Sequence, residues 1–428
     1  MMTTSPLREQ LKATADEFDC SLSDLTVLAP QNDPFRVDTP ARHRDGRWLA
    51  EAARDLGLGE RTIHLRGLHY MLIGHPKPDG TPYANTDADW TWLQADAGKA
   101  ARWLGYLPFE QIIDQRNSAP IIEIWEPTRP AAYLSPGLDI DVPAPEDIVP
   151  TISVTGFEGV QPYKLVMFGE KASLAEVLLP LAREYHADLY LPTGEISDTL
   201  LHQMARIGSQ DGRPLVVLCF SDCDPAGWQM PISIARKLQA LSIVAFPGLD
   251  FQVRPACLVP EQVREYGLPS TPLKATERRG DRWREAMGVE QTEIDALASL
   301  RPDLLKKIAQ EALAPFFDSS LEARVTRARQ AWLDEAQQVV EGILGEKELE
   351  VFRKQAAEKL LEMQDEIDRL KESVSVSVTY DDLPGFEIPE PELDSGPNQT
   401  PLIDSRWPFI EQCLALKEAK SYVAEVAS

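Results

Sequence analysis

Two apolar runs in this chain each end in carboxylates. The first is Lys164-Leu-Val-Met-Phe-Gly-Glu170-Lys171. The second is Pro214-Leu-Val-Val-Leu-Cys-Phe-Ser-Asp222-Cys-Asp224-Pro-Ala-Gly227. Continuous apolar runs followed by helical patterns read as strands of a buried parallel sheet. Open α/β sheets bind ligands beyond the carboxyl ends of their strands, so Glu170, Asp222 and Asp224 are expected at one sheet edge. Three such carboxylates repel one another unless a cation joins them, and their hard oxygens suit Mg²⁺. Residues i and i+2 of an extended chain face the same side, so Asp222 and Asp224 can share one ion. Asp-x-Asp-Pro also fits a plain strand-to-helix cap; pairing with Glu170 favours the metal site. A second set is Leu65-Arg66-Gly67-Leu68-His69-Tyr70. On a helix, Arg66 and Tyr70 share a face at i and i+4, so a guanidinium can meet a phosphate that the phenol oxygen approaches.

The elements that must position these residues follow from the pattern. Helices are expected at 47–56, 64–73 and 86–105, with short strands around Ile112, Ile113, Ile121, Ile122, Ile124 and Trp125. Residues 162–260 alternate strand and helix, with strands at 164–169, 187–191, 215–221 and 243–246. The helices between them span 173–186, 197–208 and 227–241. Residues 260–315 add helices. The stretch 321–372 reads as a long charged helix interrupted near Gly345, whose apolar positions suit a helical hairpin or an oligomer contact. Residues 373–405 read as disordered or loosely draped, and 407–423 as a docking helix.

The chain has 428 residues, 43% hydrophobic, enough for two or three domains with sizeable cores. No apolar run reaches the length of a membrane span, and the first residues lack the apolar core of a signal peptide. Five scattered cysteines suggest neither a zinc site nor a disulfide framework, so a reducing cytoplasm is expected. The net charge of −25 argues against a generic nucleic-acid binder. Charge is unevenly placed, however: 372–405 holds no Lys or Arg, while Arg36, Arg42, Arg44, Arg47, Arg61 and Arg66 make the N-terminal part comparatively basic. Local fields decide binding. The six histidines show no ligand spacing.

The form Glu-Lys … Asp-x-Asp-Pro-x-Gly resembles the Toprim domain, and most closely the A subunit of topoisomerase VI and the related meiotic double-strand-break proteins. The resemblance covers about residues 160–260. It implies Mg²⁺ ligation by Glu170, Asp222 and Asp224. That family also carries a winged-helix domain ahead of Toprim, with an Arg-x-x-x-Tyr signature whose tyrosine attacks DNA. Arg66 and Tyr70 match its spacing and order. Two departures stand out. Gly67 lies where the family usually has an acidic residue. Gly194-Glu195-Ile196-Ser197-Asp198 replaces a Gly-Gln-Pro-like segment and a later arginine, for which Arg206 is the substitute candidate. Residues 262–297 resemble the segment after Toprim in bacterial and mobile-element relatives.

The expected architecture is α/β and multi-domain. A winged-helix-like domain (1–126) is followed by a linker (127–160) and a Toprim domain with a Rossmann-like parallel sheet (161–318). A helical C-terminal extension follows: a hairpin (319–372), then an acidic linker with a terminal helix (373–428). The resemblance implies a Mg²⁺-dependent DNA-cleaving transesterase, type IIB topoisomerase-like, with Tyr70, Arg66 and Glu170 catalytic. It would act as a homodimer on double-stranded DNA in the cytoplasm, at the nucleoid, leaving a 5′-phosphotyrosyl break. Lys171, Arg206, Lys274, Arg278 and Arg279 are candidate DNA contacts. No phosphate-loop ATPase motif is visible, so any strand passage would need a separate ATPase subunit. The rivals are a Toprim hydrolytic nuclease and a non-catalytic DNA-binding subunit.

Overall fold

The structure is a computed structural model that describes residues 5–59, 61–113, 119–123, 129–134, 152–192, 194–274, 276–344, 346–360, 379–393 and 400–422. The expected strand residues Ile124 and Trp125, the break at Gly345, the hairpin beyond residue 360 and much of the acidic stretch lie outside the described residues. The chain is mixed α/β and forms two compact units. One comprises Met1–Ile124, Tyr163–Phe316 and Ser395–Ser428; the other comprises Trp125–Pro162 and Phe317–Asp394.

The first unit is built on a five-stranded sheet ordered Asp188–Tyr190, Lys164–Gly169, Leu215–Phe220, Phe251–Cys257, Ile403–Asp404. The first four strands are parallel and the last is antiparallel. Every residue of Lys164–Gly169 and Leu215–Phe220 is buried, which is why both strands are apolar without alternation. The strand expected at 243–246 is instead the end of one helix, Pro225–Val244, and the next residues out of it. The fourth parallel strand is Phe251–Cys257. Its run is interrupted by Gln252 and Arg254, which satisfy one another: Arg254 Nε donates to Gln252 Oε1 at 3.1 Å. The C-terminal helix Phe409–Ser421 docks as expected, accepting a 3.1 Å hydrogen bond from Trp228 Nε1 at the Ala419 carbonyl.

The same unit contains the helices Pro40–Asp55, Leu65–Met71 and Asp87–Trp92, the last continued through a π-turn at Leu93–Ala97 into Gly98–Trp103. Ile63–His64 pairs in parallel with Ile112–Ile113. These helices enclose their own core, including Leu49, Leu65, Leu68, Leu72, Tyr83 and Leu93.

The second unit corrects the reading of 127–160 as a linker. Ala131–Leu134 and Ile152–Thr155 pair antiparallel. Their apolar residues join the helix Leu321–Leu344 in a core of Ala132, Phe157, Leu321, Val325, Trp332 and Ala336. A second helix, Glu346–Leu360, follows. Part of the acidic stretch is tied down here. Phe386 stacks on Trp332 at 4.7 Å, and Trp332 Nε1 donates to the Pro384 carbonyl at 2.9 Å.

Candidate functional site

The sheet order sets where a ligand would sit. The chain leaves Lys164–Gly169 toward Asp188–Tyr190 on one side. It leaves Leu215–Phe220 toward Phe251–Cys257 on the other. The crossovers therefore diverge between these two adjacent strands, which is the topological switch point where open α/β sheets bind ligands. Glu170 and Asp222 stand at the carboxyl ends of this pair. Glu170 N donates to the Phe220 carbonyl at 3.0 Å, and Asp222 N donates to Glu170 Oε2 at 3.0 Å.

Asp224 serves the next helix. Its Oδ1 accepts from the amides of Ala226 and Gly227 at 2.9 and 2.8 Å, so it is the N-cap of Pro225–Val244. This is the cap reading of Asp-x-Asp-Pro. Capping uses one oxygen, while its charge still acts on Glu170. Gly227 is required sterically. A Cβ there would lie 2.1 Å from the Asp222 carbonyl oxygen.

Residues 291–293 and the start of the helix Ile294–Leu300 reach the site from outside the expected motif. Cys223 and Thr292 exchange backbone hydrogen bonds at 2.9 and 3.1 Å, and Ile294 N donates to Asp222 Oδ1 at 2.8 Å. This brings Glu293 and Asp295 beside Lys171. The Lys171 ammonium lies 2.9 Å from Asp222, 2.5 Å from Glu293 and 3.3 Å from Asp295. Ser173 also donates to Asp295.

Electrostatics follow from burial. Desolvation raises Glu170 above the usual carboxylate range, and Asp224 and Glu293 add repulsion. Asp222 is pushed up to about 7, first by burial and then by Glu170, against the lowering effects of the Ile294 amide and Lys171. Burial alone would lower Lys171, but its hydrogen bonds to Glu293 and Asp222 hold it above its ordinary value. Asp222 stays raised although it is ion-paired, because its burial and the nearby Glu170 outweigh the lowering by Ile294 N–H and Lys171.

The donor set is chemically right for a hard divalent cation, because Glu170, Asp222 and Asp224 offer carboxylate oxygens alone. The side chains as they stand do not enclose an ion. Asp222 is occupied by Lys171 and Ile294. Among the described residues, no group of three or more His, Cys, Asp or Glu side chains has a metal-holding arrangement. The residues fit the ion in donor type, while the ammonium of Lys171 holds the place of a cation beside Asp222.

Tyr70 and Arg66 lie elsewhere in this unit, on Leu65–Met71. The His64 ring accepts from Arg66 N at 3.2 Å and starts the helix. Leu65, Leu68 and Leu72 face the core, which leaves Arg66 and Tyr70 on the exposed face. Tyr70 is 52% exposed. The Arg66 guanidinium lies 5.7 Å from the Tyr70 ring and 4.7 Å from that of Trp90. A Cβ at Gly67 would meet only Ile63 at ordinary distance, so glycine is not required there.

The candidate DNA contacts divide. Lys171 is engaged by carboxylates, as above. Lys274 and Arg278 are exposed. Arg279 makes a two-point pair with Glu277 at 2.7 and 2.8 Å and donates to the Pro225 carbonyl at 3.3 Å. Arg206 lines a cavity of about 280 Å³ with Thr62, Glu110, Thr199, His202 and Gln203. Glu293 and Asp295 lie in the stretch 262–297, outside the metal and tyrosine motifs, and the structure brings them to Lys171. Their i, i+2 spacing, the same as in Asp222-Cys-Asp224, was the available signal. No protein-family model matches this chain, and no curated protein shows a significant match to it.

Proposed function

We propose that this chain is a Mg²⁺-dependent DNA-cleaving transesterase resembling the A subunit of topoisomerase VI. Its winged-helix-like N-terminal part would carry the nucleophile Tyr70, and its Toprim-like sheet the metal ligands. The observation that carries this reading is the meeting of Glu170 and Asp222 at the switch point of a parallel sheet, with Asp224 beginning the next helix.

In this reading the Tyr70 phenol oxygen attacks a DNA phosphorus. An O–P bond to tyrosine forms, the bond from phosphorus to the 3′-oxygen breaks, and that oxygen leaves with a proton. The phenol proton passes to solvent. Arg66 neutralises the attacked phosphate, whose negative charge grows in the transition state. Glu170, Asp222 and Asp224 would hold the Mg²⁺, which supplies further charge neutralisation at phosphate oxygens. Two protomers acting on opposite strands would give a double-strand break with 5′-phosphotyrosyl ends. No helix among the described residues is long and apolar enough to cross a membrane.

The test is incubation with supercoiled DNA and Mg²⁺, quenched with SDS and run with and without protease. The expected product is linear DNA that enters the gel normally only after proteolysis, absent in Tyr70→Phe and Glu170→Gln. Cleavage indifferent to protease and retained in Tyr70→Phe would identify a hydrolytic nuclease instead. Binding without cleavage would favour a DNA-binding subunit.

A further inference from the structure

Arg66 is exposed, and among the described residues no carboxylate pairs with it. Aromatic rings hold it instead. Its guanidinium lies 4.7 Å from the Trp90 ring centroid and 5.7 Å from that of Tyr70. The difference matters chemically. A carboxylate partner would occupy the N–H donors of arginine and cancel its charge. A ring face attracts the cation through its quadrupole and leaves the in-plane donors free for a phosphate, with Trp the strongest of the three ring types.

Trp90 is itself held in place. It is half-buried on the short helix Asp87–Trp92, which is capped by Thr86 accepting from Asp89 N at 3.2 Å. Its ring meets the His69 ring edge-on, at 5.1 Å and 78°. His69 is buried and fixed from both nitrogens, by Tyr83 Oη at 2.7 Å and Asn85 Oδ1 at 3.0 Å. The chain of contacts thus runs from the core to Trp90 and from Trp90 to Arg66.

We propose that Trp90 is a positioning residue that holds the Arg66 guanidinium over Tyr70 with its donors open to the attacked phosphate. The inference rests on the transesterase reading. Trp90 touches no reacting atom and acts through Arg66.

The experiment compares wild type, Trp90→Leu, Trp90→Phe, Arg66→Ala and the Trp90→Leu/Arg66→Ala double variant. It reads single-turnover formation of the covalent adduct at saturating DNA. Metal-free DNA affinity and the Arg66 Nε–H resonance, assigned by its loss in Arg66→Ala, are measured alongside. Trp90→Leu is expected to slow adduct formation about tenfold with DNA affinity unchanged, and Trp90→Phe to recover most of the rate. In the Arg66→Ala background the same change should cost nothing further. The Arg66 resonance should lose its ring-current shift in Trp90→Leu. An unchanged rate in Trp90→Leu overturns the inference. So does an equal loss with and without Arg66, which would mark Trp90 as a packing residue. A wild-type chain that forms no adduct overturns the transesterase reading and this inference with it, a result distinct from the other two.

Discussion

Lys171 brings one positive charge among carboxylates that a cation-binding site would otherwise leave bare. It pairs with Asp222, which is almost fully buried, and with Glu293 and Asp295, which are not. Removing one partner of a buried pair strands the other charge, at a cost of about 3–5 kcal/mol when both are fully buried. Lys171 keeps 22% of its side chain exposed, so Lys171→Met should cost about 1–3 kcal/mol in metal-free protein. The proposed Mg²⁺ would take over the same role, so Mg²⁺ should raise the melting temperature of Lys171→Met more than that of wild type. Denaturant unfolding and thermal melts with and without the ion check this. Equal stability of the two metal-free proteins would show that Lys171 is not the counter-ion of the cluster. Its role was not legible in the sequence, where it read as a DNA contact. Its partner Glu293 is 122 residues away, and nothing local to either residue announces the other.

At the scale of elements, the turn from Leu215–Phe220 into Pro225–Val244 does two jobs with one aspartate. Asp224 caps the helix by accepting two amide hydrogen bonds, and its charge belongs to the proposed metal site. Asn caps as well as Asp, whereas Ala loses about 1 kcal/mol of helix stability. Asp224→Asn should therefore fold with wild-type stability yet cleave DNA at least about a hundredfold more slowly, while Asp224→Ala should lose both. Urea unfolding and the SDS-quenched cleavage gel separate the two losses. Cleavage by Asp224→Asn at the wild-type rate would reduce Asp224 to a cap. This turn was readable because its chemistry is local: an apolar run, two acids, Pro at the helix start and a glycine that only a close approach demands. The strand Phe251–Cys257 was not, because Gln252, Arg254 and Pro255 break its apolar run, and the burial of Gln252 and Arg254 shows only once the sheet is assembled. The pair Ala131–Leu134 and Ile152–Thr155 was hidden for a related reason. Each strand is four residues long and gains its apolar face against Leu321–Leu344 and Phe157, which lie elsewhere in the chain or beyond the strand.

At the scale of the whole molecule, the first unit is assembled from three separated stretches of chain, and Arg236 is where they meet. Its guanidinium is fully buried and bonds Asp33 at 3.0 Å, the Leu25 carbonyl at 3.0 Å, Gln239 at 2.7 Å and Cys413 Sγ at 3.4 Å. It also lies 3.8 Å from the centroid of Phe35. The N-terminal segment, the helix Pro225–Val244 and the C-terminal helix thus share one cation. Asp33 is equally committed, since its other oxygen accepts from the amides of Val27 and Leu28 at 2.9 and 3.1 Å. Arg236→Met leaves the Asp33 carboxylate buried without its cation, and breaking a pair so deep costs about 3–5 kcal/mol. The variant should unfold at lower urea and release both terminal segments first, read as faster amide exchange in residues 5–36 and 409–422 than in the strand Leu215–Phe220. Adding Asp33→Asn should recover part of the loss, because the amide oxygen still accepts backbone hydrogen bonds and no bare charge remains. If Arg236→Met retained wild-type stability, the termini would be held by their apolar contacts alone and the buried pair would be dispensable. If the double variant were no more stable than Arg236→Met, the cost would lie in the lost packing of the long side chain rather than in the stranded charge.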